Sequence, residues 1–320
     1  RSYATSAIGG VPYGSSVVAD VTPDTTVNFI VTTDVDWAGG TSEADGIEQI
    51  FLTTNGNIIA TEAGGDMFIG HVHSTAGDVT LTSRVRILDA NTLPTIDVTG
   101  VDITLISGEI SKGVSGTRGG VGQATDFLEI NTARNNTGGR LAAFDILAPI
   151  NDGIFIDELI GDMPVGIVQA KTNVALRTVD GSVLDVDADN GADVIGQAID
   201  IDANGRAASI GADKQDLEID SSVGVPALAL DAAGADVSLE AGFGIYVTET
   251  AGVLRLLLAH SYASTISLTV RESSLQGEDL ELVRSGSARF AESNTRLPGN
   301  HVDAVRVVPR GLIYSELGDV

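Results

Sequence analysis

The most promising group of candidate metal ligands is an acidic run between residues 185 and 193. Asp185, Asp187 and Asp189 alternate with small apolar residues, so on a β-strand the three carboxylates would share one face. Three carboxylates on one face repel one another unless a cation lies among them. The run therefore predicts a calcium site. The alternative is a solvated acidic face whose apolar neighbours point inward.

A second set of oxygen ligands follows shortly after the first. Asp200, Asp202 and Asn204 match the first, third and fifth positions of an EF-hand loop, and Gly205 matches the sixth. Position twelve is Gly211, whereas an EF-hand requires a bidentate glutamate there. Calcium is therefore the one cofactor that the sequence suggests, and a solvated outer face remains the alternative. The predicted ligands are Asp185, Asp187, Asp189, Asp200, Asp202 and Asn204.

Two other patterns invite a metal-site hypothesis and are better interpreted as structural. The run Gly119-Gly120-Val121-Gly122 begins like a nonapeptide calcium repeat, but Ala124 stands where the ligand carboxylate should be, which favours a turn. His71 and His73 would share one face of a strand, as metal ligands can. However, His73 falls at an ordinary position of the repeat described below, which favours a structural role.

Acid–base chemistry on a polysaccharide would need converging carboxylates with a nearby cation in a groove. Asp200 and Asp202 offer such a pair, but any acidic repeat protein would, and Arg177 is interpreted as an outward-facing residue. The chain contains no cysteine, which excludes disulfides and a cysteine nucleophile. It also contains no Gly-x-Ser-x-Gly motif. An enzyme is therefore the less favoured prediction.

The charge balance restricts the classes of partner. Asp and Glu number 44 against 18 Lys and Arg, for a net charge of −26. Binding to nucleic acid or to an anionic membrane surface requires clustered cations, so both are excluded as predicted partners. No apolar run reaches the roughly 18 residues of a membrane span. This composition suits an acidic protein in a medium rich in salt or divalent cations.

Repeats indicate the elements that would hold these residues. One short strand pattern occurs three times, with its glutamates 96 positions (158 − 62) and 91 positions (249 − 158) apart; a second pattern occurs twice, with its glutamates 89 positions (218 − 129) apart. The copies are Asn57–Glu62, Gly153–Glu158 and Gly244–Glu249 for the first pattern, and Asp126–Asn131 and Asp216–Asp220 for the second. Apolar and polar residues alternate with a period of two, and no helical periodicity is evident.

These repeats predict an all-β fold, a parallel β-helix (β-solenoid) with almost no α-helix, in which each coil stacks on a near copy of itself. The period of about 92 residues holds roughly four coils. Three regions are expected: an irregular lead-in at 1–46, a repetitive solenoid at 47–270, and less regular terminal coils at 271–320. Strands are predicted in the two end regions at Thr26–Val31, Asp279–Val283 and Ala304–Val308.

Several of these runs resemble a known group of proteins. Gly77–Thr82, Ile87–Ala90, and Gly119–Gly122 leading to Phe127–Ile130 are similar to tandem units of giant repetitive bacterial surface exoproteins of the filamentous-haemagglutinin and haemolysin-like type. The resemblance implies a right-handed parallel β-helix, export from the cell and an adhesive or structural role outside it. It carries over no catalytic residue.

The sequence therefore predicts a non-catalytic structural or adhesive segment of a giant secreted protein, located outside the cell or on its surface. Its expected partners are a cell-surface or matrix component, or copies of itself joined end to end. Two alternatives stay open: a β-helical polysaccharide lyase or hydrolase, and a calcium-dependent binding module.

Overall fold

The structure is a computed structural model that describes residues 17–20, 27–31, 49–62, 65–108, 118–132, 139–148, 150–223, 236–272, 278–282 and 312–320. Throughout these residues the regular structure is β, with no helix and thus no helical segment that could cross a membrane. The strands are β1 Val17–Asp20, β2 Val27–Val31, β3 Gln49–Thr54, β4 Ile58–Glu62, β5 Met67–Ser74, β6 Val79–Ser83, β7 Arg86–Asp89, β8 Val98–Thr99, β9 Asp102–Ile106, β10 Arg118–Val121, β11 Leu128–Asn131, β12 Arg140–Asp145, β13 Ile150–Glu158, β14 Met163–Ala170, β15 Asn173–Thr178, β16 Val183–Asp185, β17 Val194–Ile195, β18 Ala198–Ala203, β19 Leu217–Asp220, β20 Val237–Ala241, β21 Ile245–Glu249, β22 Leu254–Ser261, β23 Ile266–Val270, β24 Leu280–Leu282 and β25 Leu312–Ser315.

The chain divides into two compact units, 1–156 and 157–320, with the boundary inside β13. In the first unit one sheet has the order β1-β3-β5-β7-β10-β13, with β8 and β11 attached, and the other has the order β2-β4-β6-β9-β12. In the second unit the orders are β15-β18-β20-β22-β24, with β25 attached, and β14-β17-β19-β21-β23, with β16 attached. Most consecutive strands thus fall alternately in the two sheets.

The described strands pair in parallel, and the pairing distance along the chain is short. Ile58 pairs with Val79 and Val79 with Ile103, steps of 21 positions (79 − 58) and 24 positions (103 − 79). Parallel neighbours need a crossover, and here the crossover is a strand of the opposite sheet. The predictions of an all-β fold and of parallel strands are confirmed.

Aliphatic side chains stack in columns because paired residues share one face. In the second unit Val174, Ile199 and Val237 occupy matched positions on three neighbouring strands, and none is exposed to solvent. Burying each such side chain contributes roughly 1.5–3 kcal/mol, and β-branched residues suit the pleated surface. These columns form the core that the alternating sequence pattern predicts.

The glutamates of the threefold repeat occupy one backbone position in each copy. Glu62, Glu158 and Glu249 are the last residues of β4, β13 and β21, and all three are buried. Their carbonyl oxygens accept hydrogen bonds from the N–H groups of residues 84, 179 and 271 respectively. The three copies therefore share a strand end and one backbone hydrogen bond, although within the first unit β4 and β13 belong to different sheets.

The glycine-rich run ends in a turn that only glycine can form. Gly122 and its repeat equivalent Gly211 have φ of +63° and +64°. A Cβ atom at either position would lie 2.2 Å from a carbonyl oxygen, that of Phe155 or Tyr246. The prediction that this run is a turn is therefore confirmed only for Gly122, because Gly119, Gly120 and Val121 lie in β10.

Two of the predicted terminal strands are present as β2 and β24, which are slightly shorter than expected. The strand predicted at Ala304–Val308 lies outside the described residues. The predicted division at 46 and 270 stays a prediction.

Replacing Gly211 by alanine is expected to destabilise the protein. The left-handed conformation costs about 1–2 kcal/mol, and forcing the methyl group against the Tyr246 carbonyl costs a further ~1–3 kcal/mol. Urea unfolding followed by circular dichroism would measure the loss. Gly65→Ala is the control, because no atom lies within 4 Å of the added Cβ. Equal midpoints for the two variants would contradict the turn assignment.

Candidate metal centres

Three buried carboxylates meet in the first unit, and we call them the first triad. Asp89 ends β7, Asp97 precedes β8 and Glu129 lies in β11, and each offers an oxygen within 4.8 Å of the other two. The Asp97 N–H donates to the Glu129 carbonyl at 2.9 Å, and the Glu129 N–H donates to Asp97 Oδ2 at 3.2 Å. Backbone hydrogen bonds therefore fix two of the carboxylates next to each other.

A second triad, Asp185, Asp193 and Glu218, has the same construction in the second unit. The Asp193 N–H donates to the Glu218 carbonyl at 2.8 Å, and the Glu218 N–H donates to Asp193 Oδ2 at 3.0 Å. Asp185 ends β16, as Asp89 ends β7. The two triads are thus one constellation formed twice.

The spacing between the triads equals the spacing of the sequence repeats. The aspartates are 96 positions apart (185 − 89 and 193 − 97), and the glutamates are 89 positions apart (218 − 129). In both copies a long strand, β5 or β14, pairs along its two halves with two short strands, and the aspartates flank the gap between those strands. A site has therefore been repeated together with the fold.

A third copy of the long strand, β22, pairs in the same divided way with β24 and β25. Its register places Leu282 at the position of Asp89, because Leu256 pairs with it as Ile69 pairs with Asp89. Leu312 stands where the other copies have Asp97 and Asp193. In the described residues the two aspartates are thus found in the first two copies and replaced by leucine in the third.

Burial raises the pKa of the central aspartate in both triads. Removal from water raises the pKa of Asp97 to about 10, and the charges of Asp89 and Glu129 act in the same direction. Burial likewise raises the pKa of Asp193 to about 8, although the Glu218 N–H opposes the shift. Both sites therefore favour a bound proton or another positive charge over three free anions.

The second triad has a cation built into the chain. Arg271 Nη2 lies 3.0 Å from Glu218 Oε1, and Arg271 Nη1 donates to the carbonyl of Asn190 in the adjoining loop. The charge of Arg271 opposes the rise in the pKa of Glu218 that burial produces. A guanidinium thus partly neutralises this triad.

The acidic run predicted to share one strand face does not do so. β16 ends at Asp185, whose Oδ1 accepts hydrogen bonds from the N–H groups of Asp187 and Ala188, and this turns the chain. Asp187 and Asp189 are exposed in the loop that follows. Among the predicted ligands only Asp185 joins a triad, and its partners Asp193 and Glu218 were not predicted as ligands.

The other predicted ligands lie elsewhere in the second unit. Asp200 and Asp202 are on β18, almost fully buried, and Arg177 on β15 lies 3.8 Å from Asp200 Oδ2 and 3.1 Å from Asp202 Oδ2. Asn204 follows the strand and donates its N–H to Thr178 Oγ1. Arg177 is therefore an ion-pair partner here, although the sequence favoured an outward-facing residue.

Polar residues continue this row across the sheet. Asp202 pairs in register with Glu240, and Glu240 with His260. His260 Nδ1 lies 3.1 Å from Glu240 Oε1, and its Nε2 lies 3.3 Å from Glu316 Oε1. In this row Asp202 thus has Arg177 on one side and Glu240 has His260 on one side, while Asp202 and Glu240 are paired with each other.

The histidine pair in the first unit is arranged as two stacked rings. The ring centroids of His71 and His73 are 5.4 Å apart and nearly parallel, at 13°. Neither residue belongs to either group of three metal-ligating side chains found in the described part of the chain. The structural interpretation of this pair fits these contacts.

Comparisons with known proteins give no independent assignment: no protein-family model, curated protein or solved structure matches the chain. The resemblance to repetitive surface exoproteins therefore stays a prediction, and the function has to be argued from the geometry.

Replacing Arg177 by methionine is expected to lower the free energy of unfolding by about 3–5 kcal/mol, because it leaves buried carboxylates without their cation. Burial disfavours the charged guanidinium, but the charges of Asp202, Asp200 and Asp157 outweigh burial and raise the pKa of Arg177. Lys214→Met is the control, since the Lys214–Asp213 pair is exposed and should contribute less than about 1 kcal/mol. Denaturant melts of both variants measure the difference, and equal losses would refute the pairing.

Glu249 provides a test of pH dependence. Burial raises its pKa to about 8, hydrogen bonds from the Ser221 N–H and hydroxyl oppose this, and the charge of Asp220 adds to it. The folded state therefore holds a proton that the unfolded state loses near pH 4.5, the ordinary value for this carboxyl. This contribution to stability is unfavourable and grows as pH rises from about 4.5 to 8.

Glu249→Gln is therefore expected to gain stability relative to the wild type as pH rises from about 5 to 8, by at most ~1.4 kcal/mol per pH unit. Thermal melts across this range measure the change. Glu272→Gln removes an exposed carboxylate and should show no such trend. A pH-independent difference between Glu249→Gln and the wild type would contradict the burial argument.

Proposed function

We propose that each unit of this chain is a stacked β-solenoid, and that the chain is a structural, non-catalytic segment of a large repetitive protein. The supporting observation is the alternation of strands between two parallel sheets, with pairing steps such as the 21 and 24 positions that relate Ile58, Val79 and Ile103. One coil would then contribute a strand to each sheet. Each coil would satisfy its backbone hydrogen bonds on the coils before and after it.

The function that follows is mechanical support. Parallel ladders of backbone hydrogen bonds and aliphatic columns run from coil to coil, so that a load is shared among many equivalent contacts. Successive coils interact mainly with their neighbours, which allows such a fold to be extended by adding copies. The repeated Gly122 and Gly211 turns support this view, because the same special backbone is formed 89 positions later (211 − 122).

The proposed location is outside the cell or on its surface, with a cell-surface component, a matrix component or further copies of the chain as partner. The net charge of −26 and the lack of cysteine support this location, since they suit a soluble acidic surface and need no disulfide chemistry. The adhesive part of the proposal rests on the resemblance noted above.

A polysaccharide lyase or hydrolase is the competing function. Its best candidate residues are Asp200, Asp202 and Arg177, which do lie together. The two carboxylates are only 2% and 1% exposed, and a sugar cannot reach a group that is buried in this way. Their pairing with Arg177 is what a structural ion pair requires, so the geometry favours the structural role.

Pulling the full chain by its two ends in optical tweezers tests the mechanical proposal. A stack of coils should unravel in several steps, and a coil of about 20–25 residues releases roughly 70–85 Å. Gly211→Ala should weaken steps that arise from the second unit and leave the others at the wild-type force. Release of the whole chain in a single step at low force would contradict the proposal.

Incubation with a panel of uronate and neutral glycans tests the competing function. We expect no change in reducing ends and no new absorbance from unsaturated products. If turnover occurs and Asp202→Asn abolishes it while Asp187→Asn does not, the structural proposal is overturned. Asp187 is the matched control because it is an exposed aspartate of the same acidic region.

A further inference from the structure

We propose that the first triad, Asp89, Asp97 and Glu129, is a buried calcium site, and that Arg271 takes the place of the cation at the second triad. The proposal concerns a site for which no function is assigned above, and it holds whether or not the chain has a structural role. It rests on the geometry of the triad, on one unsatisfied oxygen and on the comparison of the two copies.

The geometry fits a hard divalent cation. One oxygen from each residue lies within 4.8 Å of the other two, and oxygens bound to one calcium at about 2.3–2.6 Å can be at most ~5 Å apart. The triad offers oxygen ligands only, without the nitrogen or sulfur that zinc prefers. Magnesium holds its ligands closer, at about 2.0–2.1 Å, and gives up its waters reluctantly, so a buried carboxylate site favours calcium.

One oxygen of the first triad has its hydrogen-bonding capacity unused. Asp97 is 0% exposed, and its Oδ2 accepts the Glu129 N–H, but its Oδ1 has no hydrogen-bond partner. A buried carboxylate oxygen without a partner costs free energy, and a metal ligand is one way to satisfy it. The Glu129 side chain can hydrogen-bond to the Asp97 side chain only when one of the two carboxyls carries a proton, and a cation between them can replace that proton.

The second triad shows that three carboxylates arranged in this way can bind a positively charged group. There Arg271 contacts Glu218 at 3.0 Å, and the Arg271 N–H bonds to the Glu249 carbonyl. In the preceding repeat copy, the residue whose N–H bonds to the Glu158 carbonyl in the same way is Val179, which carries no charge. Arg271 lies one repeat after the second triad, and the corresponding residue one repeat after the first triad is therefore Val179 instead of an arginine.

Calcium at the first triad would join the end of β7 to the start of β8 and hold both against β11. The two halves of β5 pair with β7 and β8, and β8 also pairs with β11. A cation there would neutralise the charges that otherwise raise the free energy of the folded state. Loss of calcium should thus destabilise the first unit most.

The test is thermal unfolding of the full metal-free chain with and without millimolar calcium chloride. We expect calcium to raise the Tm by about 3–6 °C when its concentration is well above the Kd of the site. Magnesium at the same concentration should produce less than half of this rise. Absence of a calcium-dependent rise, or an equal rise with magnesium, would overturn the assignment.

Two matched variants locate the site. Asp97→Asn keeps an acceptor for the Glu129 N–H but removes one charge, and it should abolish the calcium-dependent rise. Asp193→Asn makes the same change at the second triad and should retain the rise. If Asp97→Asn does not fold by circular dichroism, Glu129→Gln replaces it. Retention of the rise in the first-triad variant, or its loss in Asp193→Asn, refutes the site.

Calorimetric titration with calcium tests the role of Arg271. The wild type should bind one equivalent tightly, and Arg271→Gln should bind two, because the second triad then lacks its guanidinium. Arg84→Gln is the control, since Arg84 has the same backbone contact to Glu62 that Arg271 has to Glu249. A stoichiometry that remains at one in Arg271→Gln would refute the equivalence of the two triads.

Discussion

Parallel pairing, in a fixed register, between strands that lie close together in the sequence is the constraint on which the rest of this structure depends. Each strand hydrogen-bonds to strands that come from nearby stretches of chain, so residues at equivalent positions lie side by side. This is favourable for aliphatic residues, and Val174, Ile199 and Val237 form a buried column as a result. It is unfavourable for like charges, which would also be aligned. An acidic chain with this fold must therefore keep aligned carboxylates apart or compensate them with cations.

The buried charges show several ways of meeting that constraint. Asp202 lies beside Arg177, and Glu240 beside His260, so each carboxylate has a basic residue on one side, although Asp202 and Glu240 are themselves paired in register. The triads are harder to accommodate, because three carboxylates converge. The second copy has Arg271 beside its triad, and the third has leucines at the two aspartate positions. The copies of the repeat thus share a backbone arrangement, while the buried carboxylates are compensated or replaced in a different way in each copy.

Much of the secondary structure could be predicted from the sequence, because period-two alternation indicates strands, and Glu62, Glu158 and Glu249 each mark the end of one. The candidate site could be predicted only in part. Asp185 was identified from its acidic neighbours, yet its side chain caps the strand and sends those neighbours into solvent. Its partners are Asp193, which directly precedes β17, and Glu218, which lies within β19. Their sequence signals were the 96-position spacing of the aspartates and the 89-position spacing of Glu129 and Glu218.

The divided pairing of β22 affects how the protein can be synthesised. Its first half pairs with β24, but its second half pairs with β25, and the partners Ser261 and Ser315 are 54 positions apart (315 − 261). As the chain leaves the ribosome, that half of β22 emerges well before β25 does. An exposed strand edge on a nascent polypeptide invites association with neighbouring chains. This part of the sheet can therefore be completed only after residue 315 has been synthesised, whereas earlier strands can pair while the ribosome is still at work.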